Sequence, residues 1–183
     1  MRLRSFGRLR LSLGFWYLAN HGIDEVDAMF DVYADTLDLP LEEKMRYEQG
    51  DSGNSYGYKA RGKIVTDKNG TLDTSEFFNV AQNDAFSWPK TSYRTYPATI
   101  NEHMDDVVTP FVKNSFNVCK AFLKIFEKRL GLPEGELLNR HSPSQLNGGE
   151  ARCVRTPAHA DRAGIGAHTD FGSLVCILVF VLW

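Results

Sequence analysis

The chain has 183 residues, of which 43% are hydrophobic and 24% are charged, and its formal net charge is −2 at pH 7. This length and composition predict one globular domain or slightly more, with a core of substantial size. The near-neutral charge excludes a general attraction to nucleic acid or to acidic membranes, so we predict neither as a partner.

The first predicted elements are a strand and two helices. "GFWYLAN" (residues 14–20) predicts a strand that runs into a turn at His21. A helix begins at Asp24, because apolar residues then recur on one helical face. That face consists of Val26, Phe30, Tyr33 and Leu37. Pro40 stops this helix, and a short second helix begins at Glu42.

Residues 50–96 are rich in Gly, Ser, Asn and Tyr and predict mostly irregular structure. Short extended pieces are expected around Lys63–Thr66 and Glu76–Val80. Asn69 and Gly70 begin a match to a glycosylation sequon, but their position between extended stretches favours a hairpin turn.

A long helix is predicted from about Ala98 to Leu130, with apolar residues spaced mostly by three and four. Pro110 lies inside it and should kink it near Asp106, whose carbonyl loses its hydrogen-bond donor. Gly131 is expected to cap the C-terminal end of this helix.

The last third of the chain turns to β structure. After a short helix near residues 134–140, an extended segment is expected around Ala151–Thr156. Leu174–Trp183 is a run of ten apolar residues, whereas a bilayer-spanning helix needs about 20. We therefore predict that this run is a strand.

The first 23 residues contain four arginines and no acidic residue, as transit peptides often do. The predicted strand at residue 14 leaves only a short remainder for such a signal, so we expect a cytoplasmic protein. The cysteines agree with that location: Cys119, Cys153 and Cys176 are odd in number and form no Cys-x-x-Cys pair. They predict reduced, mostly buried thiols rather than a disulfide framework.

A His-x-Asp pair, His168 and Asp170, stands at the start of the last apolar segment. Side chains at positions i and i+2 of a strand point to the same face, so both can reach one cation while Thr169 points away. An imidazole and a carboxylate are two parts of the facial triad of non-haem iron(II) sites. A second such pair, His159 and Asp161, follows a proline among small and polar residues and predicts a loop.

The other histidines carry weaker signals. His21 is expected to be structural, through local hydrogen bonding in its turn. We assign no chemistry to His103 or His141.

Five stretches in fixed order carry a family resemblance: "GFWYLANHGID", "LPLEEKMRY", "SYGY", "RLGLP" and "RAGIGAHTDFGSL". With them the chain resembles the isopenicillin-N-synthase-like branch of the non-haem iron(II)/2-oxoglutarate-dependent oxygenases, over roughly residues 14–175. The resemblance implies an α+β fold, in which a helical N-terminal region packs on a double-stranded β-helix, or jelly roll. Here the jelly roll is expected to be incomplete.

The implied organisation has three parts. Residues 1–13 are an unmatched segment, residues 14–141 are the N-terminal dioxygenase region with the long helix near 98–130, and residues 142–183 begin the jelly-roll domain. The resemblance implies iron(II) bound by His168 and Asp170, with 2-oxoglutarate as co-substrate. It implies no other catalytic residue and leaves the co-substrate contacts unassigned.

The implied activity is the oxidation of a small molecule by molecular oxygen, as hydroxylation, desaturation or ring closure, in specialised metabolism. One variant keeps the fold without 2-oxoglutarate, as isopenicillin N synthase does. The alternative is a non-catalytic, truncated remnant that binds metal weakly or acts as an interaction partner.

One departure from the family pattern favours truncation, and a second removes a phenol that commonly contacts the co-substrate. The family's third ligand, a histidine, and its Arg-x-Ser pair come several tens of residues after the His-x-Asp motif, and the sequence given ends at Trp183. Thr156–Pro157 also stands where the family often places Tyr-Pro. We therefore expect no 2-oxoglutarate turnover by this chain alone.

Overall fold

In a computed structural model of the protein, the described residues are 17–51, 53, 55–91, 93–157, 168–169 and 172–177. Helix α1 spans Val26–Asp38 and helix α2 spans Leu41–Met45. Both helices were predicted. The first buries one face, made of Met29, Val32, Tyr33, Thr36 and Leu37. The part of the predicted N-terminal strand that is described, residues 17–20, is irregular.

Within the described residues, three short strands form one antiparallel sheet in the order β1-β2-β3. Strand β1 is Gly57–Lys59, β2 is Glu76–Ala81 and β3 is Glu150–Arg155. Only β1 was absent from the sequence prediction. Mixed helices and a small sheet confirm the α+β class, and the jelly roll remains a prediction.

The register of the sheet separates its two faces. Phe78 of β2 lies opposite Tyr58 of β1 and opposite Cys153 of β3. These side chains face the helices and join the main core with Tyr33 and Ile100. Burying a large apolar side chain contributes about 1.5–3 kcal/mol, so this face supplies much of the stability.

The predicted hairpin turn at Asn69–Gly70 is confirmed. The Thr66 amide donates to the Thr71 carbonyl at 2.7 Å, and Gly70 has a φ of 80°. A glycine tolerates this left-handed backbone without steric cost.

The predicted long helix is interrupted near Pro110, as the sequence suggested. After helix α3 (Gln82–Ser87), helix α4 covers Ala98–Asn101, a π-helical turn covers Met104–Val108 and helix α5 covers Thr109–Leu130. Pro110 has no N–H to donate to the carbonyl four residues earlier. The backbone hydrogen-bond pattern of the helix changes just before Pro110. There the Val108 amide donates to the carbonyl five residues earlier, that of His103, at 3.0 Å.

Helix α5 ends at Gly131, which is left-handed with a φ of 67°. Beyond it the predicted short helix is mostly turn, with a 3₁₀ turn only at Leu138–His141. The buried Glu127 carboxylate explains this shape, because it accepts the amides of Gly135, Leu137 and Leu138. Those bonds lower the pKa of Glu127.

The described part of the C-terminal run, residues 174–177, forms no strand. A strand requires a neighbour that pairs with its backbone, and the described ranges place no strand beside it. The strand predicted for Leu174–Trp183 is therefore wrong for residues 174–177, and residues 178–183 lie outside the described residues. None of the helices in the described ranges combines the length and apolar character needed to cross a membrane.

Candidate metal site

His168 and Thr169 are described and exposed on irregular backbone. Asp170, the second predicted ligand, lies outside the described residues, as do His159 and Asp161 of the alternative pair. The common direction of the His168 and Asp170 side chains therefore stays a prediction. An exposed imidazole fits the requirement of a metal ligand that must meet a cation from solution.

The segment that follows the motif is held by His141. The Nδ1 atom of His141 lies 2.6 Å from the Leu137 carbonyl oxygen, and its Nε2 atom lies 2.9 Å from Ser173 Oγ. A carbonyl only accepts, so Nδ1 carries the proton, and in a neutral ring Nε2 accepts from the Ser173 hydroxyl. His141, to which the sequence assigned no chemistry, thus positions the chain three residues beyond Asp170.

A second contact anchors the same segment. Cys176 Sγ lies 3.5 Å from Cys119 Sγ on helix α5. All three cysteines are free thiols, as predicted, but the expectation that most are buried is wrong. Cys119 and Cys153 are half-buried and Cys176 is exposed, because Cys176 lies on an irregular surface segment.

The face of the sheet turned away from the helices is polar. The Arg152 guanidinium stacks over the Phe77 ring, 4.4 Å from its centroid, and Arg152 Nε donates to Asn79 Oδ1 at 3.1 Å. The Lys59 ammonium is buried beside the Asp73 carboxylate and donates to the Ser75 carbonyl at 2.8 Å. The charged groups of this face therefore already have protein partners.

Thr156 continues this face, where the resembling family often carries a tyrosine. Its hydroxyl lies 2.8 Å from Ser75 Oγ. The Thr156 hydroxyl therefore forms a hydrogen bond within the protein, although the residue as a whole is exposed.

The most strongly perturbed carboxylate belongs to Glu76, at the start of β2. Burial alone would raise its pKa, but hydrogen bonds from Tyr58, Lys44 and Arg155 outweigh burial and lower the pKa to about 2. Arg61 also donates to it, at 3.0 Å. A carboxylate with every oxygen engaged in this way is a structural anion rather than a catalytic base.

The other two described histidines, His21 and His103, make local contacts. His21 Nδ1 accepts the Ile23 amide at 3.1 Å, which confirms its predicted structural role. His103 Nδ1 lies 3.6 Å from an Asp106 carboxylate oxygen. Within the described ranges, no three His, Cys, Asp or Glu side chains lie close enough to hold a metal ion together.

Comparison with known families identifies the class of protein. The family model described as "non-haem dioxygenase in morphine synthesis N-terminal" matches residues 7–107, more than half of the chain. The chain therefore belongs to the non-haem iron(II)/2-oxoglutarate oxygenase family. The matched range begins within the segment 1–13, to which the sequence assigned no counterpart.

Two curated relatives match most of the chain. Jasmonate-induced oxygenase 3 of Arabidopsis thaliana is 27% identical over 175 residues, which cover 91% of this chain and 45% of the relative. UPF0676 protein C1494.01 of Schizosaccharomyces pombe is 25% identical over 177 residues, covering 90% of this chain and 51% of the relative. The chain spans about half the length of the curated relatives it matches.

Proposed function

We propose that this chain supplies two iron ligands, His168 and Asp170, to an oxygenase that uses 2-oxoglutarate and molecular oxygen to oxidise a small molecule. The outcome would be hydroxylation, desaturation or ring closure in specialised metabolism, in the cytoplasm. Family membership supports the reaction class. The observation that carries the site is the exposed His168 imidazole, on a chain whose following residues are docked by His141.

The donor set fits the metal. A neutral imidazole and a carboxylate are the ligand types that non-haem iron(II) oxygenases use. When bound, iron and 2-oxoglutarate would activate molecular oxygen as the oxidant, chemistry that no protein side chain supplies. His168 would bind through a ring nitrogen and Asp170 through a carboxylate oxygen.

The protein's own contribution around these ligands is positioning. Ser173 is fixed by the His141 ring, which is itself fixed by the Leu137 carbonyl. This chain of bonds ties Ser173, three residues beyond Asp170 in the sequence, to the helical region. Partners outside the ligand shell commonly change metal affinity or activity by about 10–100-fold, so His141 is a positioning residue of the proposed site.

The experiment is a titration of the 183-residue chain with Co²⁺, a stable spectroscopic probe for iron(II) sites. His168→Ala and Asp170→Asn should each weaken binding by about tenfold or more. His159→Ala, in the alternative His-x-Asp pair, is the matched control and should bind like the parent chain. Loss of binding in His159→Ala with retention in His168→Ala would overturn the assignment.

Turnover is tested separately, as succinate formed from 2-oxoglutarate with iron(II) and ascorbate. With two protein ligands we expect none from this chain alone, since a missing ligand costs more than a missing outer partner. Robust turnover abolished by His168→Ala would show that another residue or a second chain completes the site.

A further inference from the structure

The two thiols that meet between helix α5 and the C-terminal segment are 57 positions apart in the sequence. Cys119 Sγ and Cys176 Sγ are separated by 3.5 Å, whereas a disulfide bond is about 2.05 Å long. The sulfur atoms must therefore approach by about 1.5 Å to bond. Cys176 lies on backbone that is neither helix nor strand, so a small shift there breaks no helix or strand hydrogen bond.

The two cysteines differ in ways that suit two roles. Cys176 is exposed, and Cys119 is half-buried on the helix. The contact lowers the pKa of Cys176 to about 7, because the Cys119 thiol donates a hydrogen bond to the Cys176 sulfur. The same contact, with burial, raises the pKa of Cys119. A thiolate that is abundant at neutral pH and reachable from solvent is the usual target of peroxides.

We propose that Cys176 and Cys119 form a peroxide-sensing thiol pair, in which Cys176 reacts first and Cys119 closes an intramolecular disulfide. This redox site is independent of the proposed iron chemistry. It adds a modification site to a protein whose thiols the sequence predicts to be reduced.

The chemistry balances with hydrogen peroxide as the oxidant. The Cys176 thiolate attacks one peroxide oxygen, the O–O bond breaks, and the released hydroxide takes a proton to become water. Cys176 is then a sulfenic acid. The Cys119 sulfur attacks it, the S–O bond breaks, and hydroxide leaves as water with the proton from Cys119. Two thiols lose two electrons in total, and one peroxide becomes two waters.

The disulfide would tie the chain six residues beyond Asp170 to helix α5. In the reduced protein this attachment consists of a thiol contact and the Ser173–His141 hydrogen bond. Oxidation would make it covalent, so the segment that follows the His-x-Asp motif would be fixed against the helix. Glutathione or thioredoxin would release it.

The experiment treats the reduced 183-residue chain with hydrogen peroxide at low protein concentration, followed by trypsin digestion without reductant. The expected product is a cross-link between peptide 114–120, which holds Cys119, and peptide 163–183, which holds Cys176. The intact mass should fall by two hydrogen atoms, and dithiothreitol should reverse the change. Cys153 lies in its own peptide, 153–155, so its participation is directly visible.

Three variants assign the roles. Cys153→Ser is the matched control and should cross-link like the parent chain. Cys119→Ser should accumulate a Cys176 sulfenic acid, detected as a dimedone adduct, and Cys176→Ser should leave Cys119 unoxidised at the same dose. Circular dichroism identifies any variant that fails to fold. Cross-linking through Cys153, exclusive formation of intermolecular dimers, or recovery of all three thiols unmodified would overturn the proposal.

Discussion

The Lys44 ammonium lies 2.9 Å from the Glu76 carboxylate, and both side chains are buried. Lys44 comes from helix α2 and Glu76 from strand β2, 32 positions further along the chain. Glu76 also pairs with Arg155 on β3 at 3.0 Å. One carboxylate thus connects the helical region to two strands of the sheet.

Acidification should weaken the fold through Glu76. Its pKa is about 2 in the folded protein and 4.5 without the fold, so the unfolded chain takes up the proton first. The stabilisation is complete above about pH 4.5 and is lost as the pH falls toward 2, by on the order of 3 kcal/mol. Urea unfolding between pH 7 and pH 3 measures this loss, and a pH-independent free energy of unfolding would contradict it.

Glu76→Gln should destabilise the protein by about 3–5 kcal/mol at pH 7, because it leaves the buried Lys44 ammonium without its counter-charge. The matched control is Glu136→Gln. Glu136 pairs with Arg140 at 2.6 Å in an exposed i,i+4 pair, and such pairs contribute about 0.2–1 kcal/mol. Equal losses in the free energy of unfolding would show that the buried network around Glu76 contributes no more stability than an exposed ion pair.

Tyr33→Phe should cost about 1 kcal/mol. Its hydroxyl donates to the Ala151 carbonyl at 2.7 Å and joins α1 to β3, and a net hydrogen bond is worth about that much. Tyr93→Phe is the comparison and should cost less, since the Tyr93 hydroxyl donates to the Asn147 carbonyl over a longer distance of 3.4 Å. Denaturant midpoints of both variants decide the matter, and an unchanged midpoint for Tyr33→Phe would contradict the prediction.

Gly131→Ala should destabilise helix α5 by about 1–2 kcal/mol, since a side chain at the left-handed φ of 67° clashes with its own backbone. Gly148→Ala is the comparison, because Gly148 has no such φ and nothing lies within 4 Å of an added methyl group. Its effect should stay within about 0.5 kcal/mol. Thermal melts of the two variants provide the test.

Replacing Val175 and Ile177 by serine should raise the soluble fraction of the expressed chain. These side chains are 60% and 79% exposed, within an uncharged apolar run that favours aggregation. Val65→Ser, a change at a similarly exposed valine in the hairpin, should have no comparable effect. Equal solubility of all three proteins would remove the C-terminal run as the cause of association.

Local signals in the sequence predicted the elements that depend on a few neighbouring residues. The helix at Val26–Asp38, the turn at Gly70, the interruption before Pro110 and the cap at Gly131 all follow from backbone preferences over one or two turns. Strand β1 was not predicted. It has three residues, and its pairing with β2, rather than any internal alternation, makes it a strand.

Such local signals could not predict contacts between residues that are far apart in the sequence. The partners of Glu76 lie on three separate elements, and the meeting of Cys119 with Cys176 depends on where an irregular segment docks. Of the candidate metal site, the sequence predicted His168 and Asp170 from one motif. The role of His141 needed the structure, because its link to Ser173 spans 32 residues with no periodic pattern between them.

The pairing of β2 with β3 joins Glu76 to Arg155, 79 positions further along the chain. During translation, β2 leaves the ribosome long before its outer neighbour has been made. Until then one edge of a strand whose residues are all buried in the finished protein stays open to other chains. Chaperone demand should therefore concentrate in the interval between the synthesis of residues 81 and 155, when β2 still lacks its pairing with β3.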